Sequence, residues 1–200
     1  SYFIHRIEKY INRKGRKLIG YDEILEGGLA PNATVMSWRG TEGGLKALRA
    51  RHDVIMTPGE YCYLDYTQDA PYKEPPSIGG YTPLKTVYSY NPAQGLTPEE
   101  AGHLLGIQGN LWSEYIPEDD HAEYMYYPRA FAIAETGWTQ AANKNYDSFR
   151  PRAVELCQLL TNKGYHPFDL SHEYGERRES LTPANHLAKG CKVTYNVPLY

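Results

Sequence analysis

The sequence predicts an α/β fold on a parallel sheet, and three observations carry that prediction. Four short apolar runs, bounded by turn residues, read as strands. Helical patterns or long loops separate them, as right-handed crossovers between parallel strands require. Aromatic and acidic residues then collect at the carboxyl ends of those runs, the end of a parallel barrel at which sites are built.

Residues from Tyr2 to Lys14 place Phe3, Ile7, Tyr10 and Ile11 on one stripe with basic residues elsewhere, which predicts an amphipathic helix stopped by Gly15. Lys17 to Tyr21 reads as a first buried strand, followed by a loop bearing Gly and Pro as far as Asn32. Ala33 to Trp38 repeats the pattern as a second strand. Thr41 to Ala50 then reads as a capped helix with Leu45 and Leu48 inward. Asp53 to Thr57 is the third strand, running toward Tyr63-Leu64-Asp65. A loop rich in Pro and Gly follows, and Thr82-Pro83-Leu84-Lys85 opens a short helix.

Thr97-Pro98-Glu99-Glu100 is a capping-box sequence with proline at the first helical position. It precedes a fourth strand around Leu104 to Trp112. Glu123 to Trp138 reads as one long helix with Tyr127, Phe131, Ile133 and Ala134 among its buried residues. Tyr146 to Lys163 forms another helix, closed by Gly164. From Ser171 the composition changes: charges crowd at residues 173–179, and Lys192 to Val197 alternates like an edge strand. A first domain is therefore expected over 1–170, with 171–200 as a linker and the start of a following β module.

With 21 basic and 24 acidic residues and a net charge of -3, the chain has no basic stripe to track phosphates, so nucleic acid is not an expected partner. No stretch approaches the roughly 20 apolar residues of a membrane span. The opening residues lack the apolar region of a signal peptide, and Ser1 reads as internal to a longer polypeptide. The 19 Tyr against 4 Phe favour rings that can line wet, polar clefts. Cys62, Cys157 and Cys191 are unevenly spaced and imply buried thiols, not a disulfide framework. His103, His121 and His166 lack ligand spacing with any Cys or second His, so neither metal nor cofactor is expected.

The chemistry concentrates in Gly109-Asn110-Leu111-Trp112-Ser113-Glu114-Tyr115. In extended chain, residues i and i+2 face one side, so Trp112 and Glu114 can meet one ligand. An indole covers the apolar face of a pyranose while a carboxylate accepts from its hydroxyls. Tyr63 and Asp65 repeat the spacing, and Trp38 ends the second strand. Asp22-Glu23 and Asp119-Asp120 read as structural, the latter as the acidic first turn of a helix. Arg129 and Glu135 read as a structural ion pair or as solvated charges.

These motifs resemble the glycoside hydrolase family 20 β-N-acetylhexosaminidases: G-Y-D-E-I-L-E-G-G-L-A-P at Gly20 to Pro31, M-S-W-R-G at Met36 to Gly40, Y-L-D at Tyr63 to Asp65, and G-N-L-W-S-E-Y at Gly109 to Tyr115. The resemblance runs from about Ser1 to Leu170. It implies the C-terminal half of a (β/α)8 barrel, strands five to eight, and a retaining, substrate-assisted glycosidase acting on glycans that end in N-acetylhexosamine. It implies that Trp38 and Trp112 wall the terminal sugar, that Tyr63 donates to its acetamido oxygen, and that Asp65 and Glu114 bind ring hydroxyls. Tyr21 stands where the family commonly has Trp and would cover the acetamido methyl.

The family's catalytic Asp-Glu pair follows an H-x-G-G stretch that this sequence lacks. The expectation is a substrate-pocket half that works with a missing N-terminal half or self-associates. A non-catalytic carbohydrate-binding unit and a generic α/β domain are the alternatives. A secreted or periplasmic location follows from the resemblance alone.

Overall fold

The computed structural model describes residues 2–71 and 74–174. Four strands form one all-parallel sheet in the order β1 (Ile19–Tyr21), β2 (Thr34–Ser37), β3 (Val54–Met56), β4 (Leu104–Ile107). The helices are α1 (Tyr2–Arg13), α2 (Glu42–Arg49), α3 (Gly59–Cys62), α4 (Leu84–Ser89), α5 (Pro98–Ala101), α6 (Asp119–Tyr126), α7 (Arg129–Trp138) and α8 (Tyr146–Asn162), and a 3-10 turn covers Asp22–Leu25. The predicted parallel α/β architecture is present.

The strands pair along their chain order, so each crossover lands beside the strand it left. Val35 pairs with Val54, and both are fully buried, as is Met56. Their alternates Met36 and Ile55 are only half-buried, so the helix-facing side of the sheet is the better covered. Ala47 and Leu48 of α2 and Tyr90 join that core. Removing such side chains from water is worth about 1.5–3 kcal/mol each. A second cluster lies among α4, α7 and α8 around Leu84, Val87, Ala132, Phe149 and Ala153, and Leu64 and Leu170 close it.

One glycine decides how closely the layers meet. A Cβ on Gly44 would lie 2.3 Å from Met56 Sδ and 2.9 Å from Ser37 Cβ, so α2 presses on β2 and β3 through that missing methyl. Ser37 Oγ also accepts from the Gly44 amide at 2.9 Å.

Several local expectations need correction. In α1, Phe3 and Tyr10 are 70% and 61% exposed, and the buried residue is Glu8, whose Oε1 accepts from the Asn32 amide at 2.7 Å. The inward stripe is Ile4, Ile7, Glu8 and Ile11, rotated by about one residue because a polar contact claims one position. The first strand is shorter than expected and is an edge, with Ile19 52% exposed. Thr41 precedes α2 without a side-chain cap, whereas the capping box at Thr97 is complete.

The long helix expected over 123–138 is two helices, α6 and α7, parted at Tyr127-Pro128. Proline lacks the amide that would continue the ladder. Ala134 is exposed, and Ala132, Arg129 and Thr136 fill the buried positions instead. Arg129 and Glu135 are not a pair: Arg129 is fully buried among carbonyls, and Glu135 binds Arg152 and the Tyr88 hydroxyl.

Gly164 ends α8 at φ +89°, and the Tyr165 amide returns to the Leu160 carbonyl, as expected of a glycine stop. Leu170 is buried, and the Tyr174 amide donates to Asp69. The alternating segment at 192–197, the proposed β module and Cys191 lie outside the described residues. Cys62 and Cys157 are buried free thiols, and burial pushes both upward, Cys157 to about 11.

Candidate active site

The carboxyl ends of the four strands open on one side of the sheet. Tyr21 is the last residue of β1, and Trp38 directly follows β2. The third tip is less direct, because α3 intervenes before Tyr63. A parallel bridge between Tyr63 and Asn110 then resumes the pairing, with the Leu64 amide donating to the Asn110 carbonyl and the Asn110 amide to the Cys62 carbonyl. That bridge sets Tyr63-Leu64-Asp65 beside Leu111 to Glu114. Leu64 turns into the second core while Tyr63 and Asp65 turn the other way, as an extended tripeptide must.

Tyr21, Trp38, Tyr63, Asp65, Trp112 and Glu114 line a single open cavity of about 460 Å³, joined by Glu23, Tyr66 and Ile78. All six residues singled out in the sequence are thus brought together. The rings form its walls: Trp38 stacks on Tyr63 with centroids 6.2 Å apart, Tyr66 tilts against Tyr63 at 5.6 Å, and Tyr21 lies 6.5 Å from Trp112. Trp112 is 42% exposed, which is unusual for an indole packed only for stability. Among the described residues lining the cavity there are three carboxylates and no basic side chain.

Asp65 is buried, and its Oδ1 has no hydrogen-bond partner within the protein. Burial raises its pKa, and the positive charge of Arg129 beneath it works in the opposite direction. An unpaired buried carboxylate oxygen at a cavity wall is costly unless something donates to it. The Tyr63 phenol is pushed up to about 12, mainly by burial, with the side chains of Trp112 and Asn110 drawing it partly back. It therefore stays protonated across the neutral range and is a donor.

The floor is held by Arg129. Its guanidinium donates to the carbonyls of Leu64, Tyr66, Thr82 and Met125, so the residues before and after Asp65 are both tied to one cation. Burial lowers its pKa to about 10, which leaves it charged at neutral pH. Asn110 Nδ2 donates to Thr57 Oγ1 at 2.8 Å and ties the fourth tip to the third strand.

Three lining residues escaped the sequence reading. Glu23 was read as structural because it sits inside a motif, yet it faces the cavity and accepts from the Trp38 indole. Tyr66 continues the Tyr63-Asp65 segment and was in plain view as one more tyrosine. Ile78 arrives from the proline-rich loop, and no local signal marks it.

Elsewhere, His166 is not simply solvated as its sequence surroundings imply. Its Nδ1 stands 3.2 Å from Asp120 and 3.4 Å from Glu123, an arrangement able to accept a cation that spacing along the chain could not reveal. His103 pairs with Asp53, and Ser37 Oγ donates to the Gly40 carbonyl while accepting from the Gly44 amide of α2. Among the described residues no helix is long and apolar enough to cross a membrane.

A family model for the catalytic domain of glycosyl hydrolase family 20 matches residues 1–141. A β-hexosaminidase of Porphyromonas gingivalis is 49% identical over 170 residues, covering 83% of this chain and 22% of that protein. One from Vibrio furnissii is 34% identical, covering 68% of this chain and 23% of its own length. Among solved structures, the exo-β-N-acetylglucosaminidase from Vibrio harveyi in complex with N-acetylglucosamine aligns with a TM-score of 0.74 at 27% identity, covering 83% of this chain and 27% of that one. The chain therefore spans between a fifth and a third of the length of these relatives.

Proposed function

We propose, from the premise that the chain belongs to glycosyl hydrolase family 20, that it forms the sugar-holding part of a β-N-acetylhexosaminidase barrel. The four parallel strands would be strands five to eight, ending as a unit near residue 170. The general acid and the polarising carboxylate would come from outside this stretch, since the sequence has no H-x-G-G stretch with its Asp-Glu pair. The reading is carried by one observation: the aromatic walls, the protonated phenol of Tyr63 and the unpartnered Asp65 oxygen face a single cavity.

In this reading Trp38 and Trp112 cover the apolar faces of a terminal N-acetylhexosamine, and Asp65 and Glu114 accept from its ring hydroxyls. Tyr21 closes the pocket beside Trp112. Tyr63 donates to the acetamido oxygen, the atom that attacks the anomeric carbon when the substrate assists its own cleavage with retention. That bond strengthens as charge develops on the acetamido group, so it favours the transition state over the bound sugar. No enzyme nucleophile is then required, and the leaving oxygen takes its proton from the acid outside this chain.

Both sheet edges, β1 and β4, are without a further strand among the described residues, and Ile19 and Leu105 are more than half exposed there. Such edges favour pairing. The remaining strands of a barrel, or a second copy of this chain, would cover them.

Calorimetry of the chain with N-acetylglucosamine tests the pocket, and an aryl N-acetylglucosaminide tests the division of labour. The expected result is binding without turnover by the chain alone. Absence of binding overturns the pocket, and robust turnover overturns the assignment of the acid elsewhere. A compact monomer by light scattering would overturn the edge-covering expectation.

A further inference from the structure

We infer that Glu23 is a positioning residue of the sugar pocket, fixing the Trp38 indole and acting on the sugar through that ring. The inference rests on the sugar-pocket reading above and extends it to a carboxylate that the motif alone presents as structural.

The 3-10 turn after β1 carries two acids with different tasks. Asp22 is buried; its Oδ2 accepts from the amides of Trp38 and Arg39, each at 3.1 Å, and its Oδ1 accepts from Arg39 Nε at 2.8 Å. Asp22 thus holds the backbone on which Trp38 stands. Glu23 is exposed and lines the cavity, and both its carboxylate oxygens accept from Trp38 Nε1, at 3.0 and 3.2 Å. Arg39, the nearby cation, is bonded to Asp22 and Glu26 instead, which leaves the Glu23 carboxylate to the indole.

An indole has one polar atom, the N–H, so a single hydrogen bond controls how its plane turns. Trp38 needs that control. It is only half-buried, and it stacks on Tyr63 at 6.2 Å with the planes 24° apart. A ring open to solvent on one side can visit the other staggered wells of χ1. If one of three wells presents the ring to the sugar, releasing it reduces the competent fraction to about a third and lowers affinity by about threefold. The adjacent carboxylates divide the work: Asp22 places the Cα of Trp38, and Glu23 sets its plane.

The experiment uses the full chain with nitrogen-labelled tryptophan, the Trp38 indole signal being assigned by its loss in Trp38→Phe. In Glu23→Ala that signal is expected to shift and its proton to exchange faster with water, while far-ultraviolet circular dichroism and thermal melting report that the fold persists. Glu23→Gln keeps an accepting oxygen, so it should retain most of the signal and lose less than about 1.5-fold in N-acetylglucosamine affinity. Glu23→Ala should lose about threefold, and in a Trp38→Phe background the same change should cost less than about 1.5-fold. An unmoved indole signal overturns the inference. A full loss that persists without the indole means Glu23 touches the sugar itself, which also overturns it. A wild-type chain that binds no N-acetylglucosamine removes the sugar-pocket reading and this inference together, a result distinct from a binding wild type whose variants bind equally well.

Discussion

Replacing Arg129 with Met tests whether one buried cation holds the segment that carries Tyr63 and Asp65. The side chain is 0% exposed and makes five hydrogen bonds to four carbonyls, those of Leu64, Tyr66, Thr82 and Met125. Burial lowers its pKa to about 10, so the guanidinium stays charged at neutral pH. Each hydrogen bond to a charged group returns about 1.5–3 kcal/mol, and each carbonyl left dry and unpaired costs about 1–3 kcal/mol. Met, shorter and apolar, recovers some packing but no donor, so the four carbonyls are left without it. A loss of about 4 kcal/mol is expected, a large fraction of the about 5–15 kcal/mol that holds a domain folded. Equilibrium urea unfolding followed by far-ultraviolet circular dichroism measures it. Arg129→Lys should fall between the two, because an ammonium keeps the charge but cannot span four carbonyls. A loss under about 1 kcal/mol in Arg129→Met would refute the reasoning, since the carbonyls would then be satisfied without the guanidinium.

Three further outcomes are expected. Asp65→Asn should weaken sugar binding yet stabilise the free chain at neutral pH: burial raises the Asp65 pKa, the folded state binds the proton more tightly, and stability falls as pH rises through that raised value. Thermal melts from acid to neutral pH check this, and a wild-type chain that gains stability on ionisation of Asp65 counts against it. Tyr63→Phe should lower affinity for N-acetylglucosamine by about five- to tenfold, as loss of one hydrogen bond implies, and should leave glucose binding unchanged, since glucose has no acetamido oxygen. Calorimetry with both sugars decides, and equal losses would argue against the acetamido contact. Gly44→Ala should destabilise by about 1–3 kcal/mol through overpacking against Met56 and Ser37, measured by thermal unfolding; a neutral result would mean α2 can retreat from the sheet.

Much of the fold was legible from local pattern. The apolar runs at Val35 and Val54, the capping box at Thr97 and the glycine stop at Gly164 each depend on residues close along the chain. Local pattern fails where a distant partner decides the outcome. Glu8 took an inward position in α1 because the Asn32 amide was there to meet it. The break between α6 and α7 is a local exception, set by Pro128, whose missing amide ends the ladder. Arg129 looked like any charged residue on a helix, since nothing in its neighbourhood reveals four carbonyls arriving from other segments.

The site divides in the same way. Tyr63, Asp65, Trp112 and Glu114 could be named from the sequence because i, i+2 spacing at strand ends is a local property with a fixed geometric consequence, Trp38 because it ends a strand, and Tyr21 only through the family resemblance. Their convergence depends on the parallel register of β1 to β4 and on the bridge from Tyr63 to Asn110, which no local spacing encodes. The sequence by itself determined the chemistry available, namely aromatic rings and carboxylates at the tips of strands. Only the tertiary structure decided that Asp65 is left with an unpaired oxygen, that Arg129 lies beneath it and that Glu23 holds the indole, because each is a contact between segments that meet only when the sheet and its helices have closed.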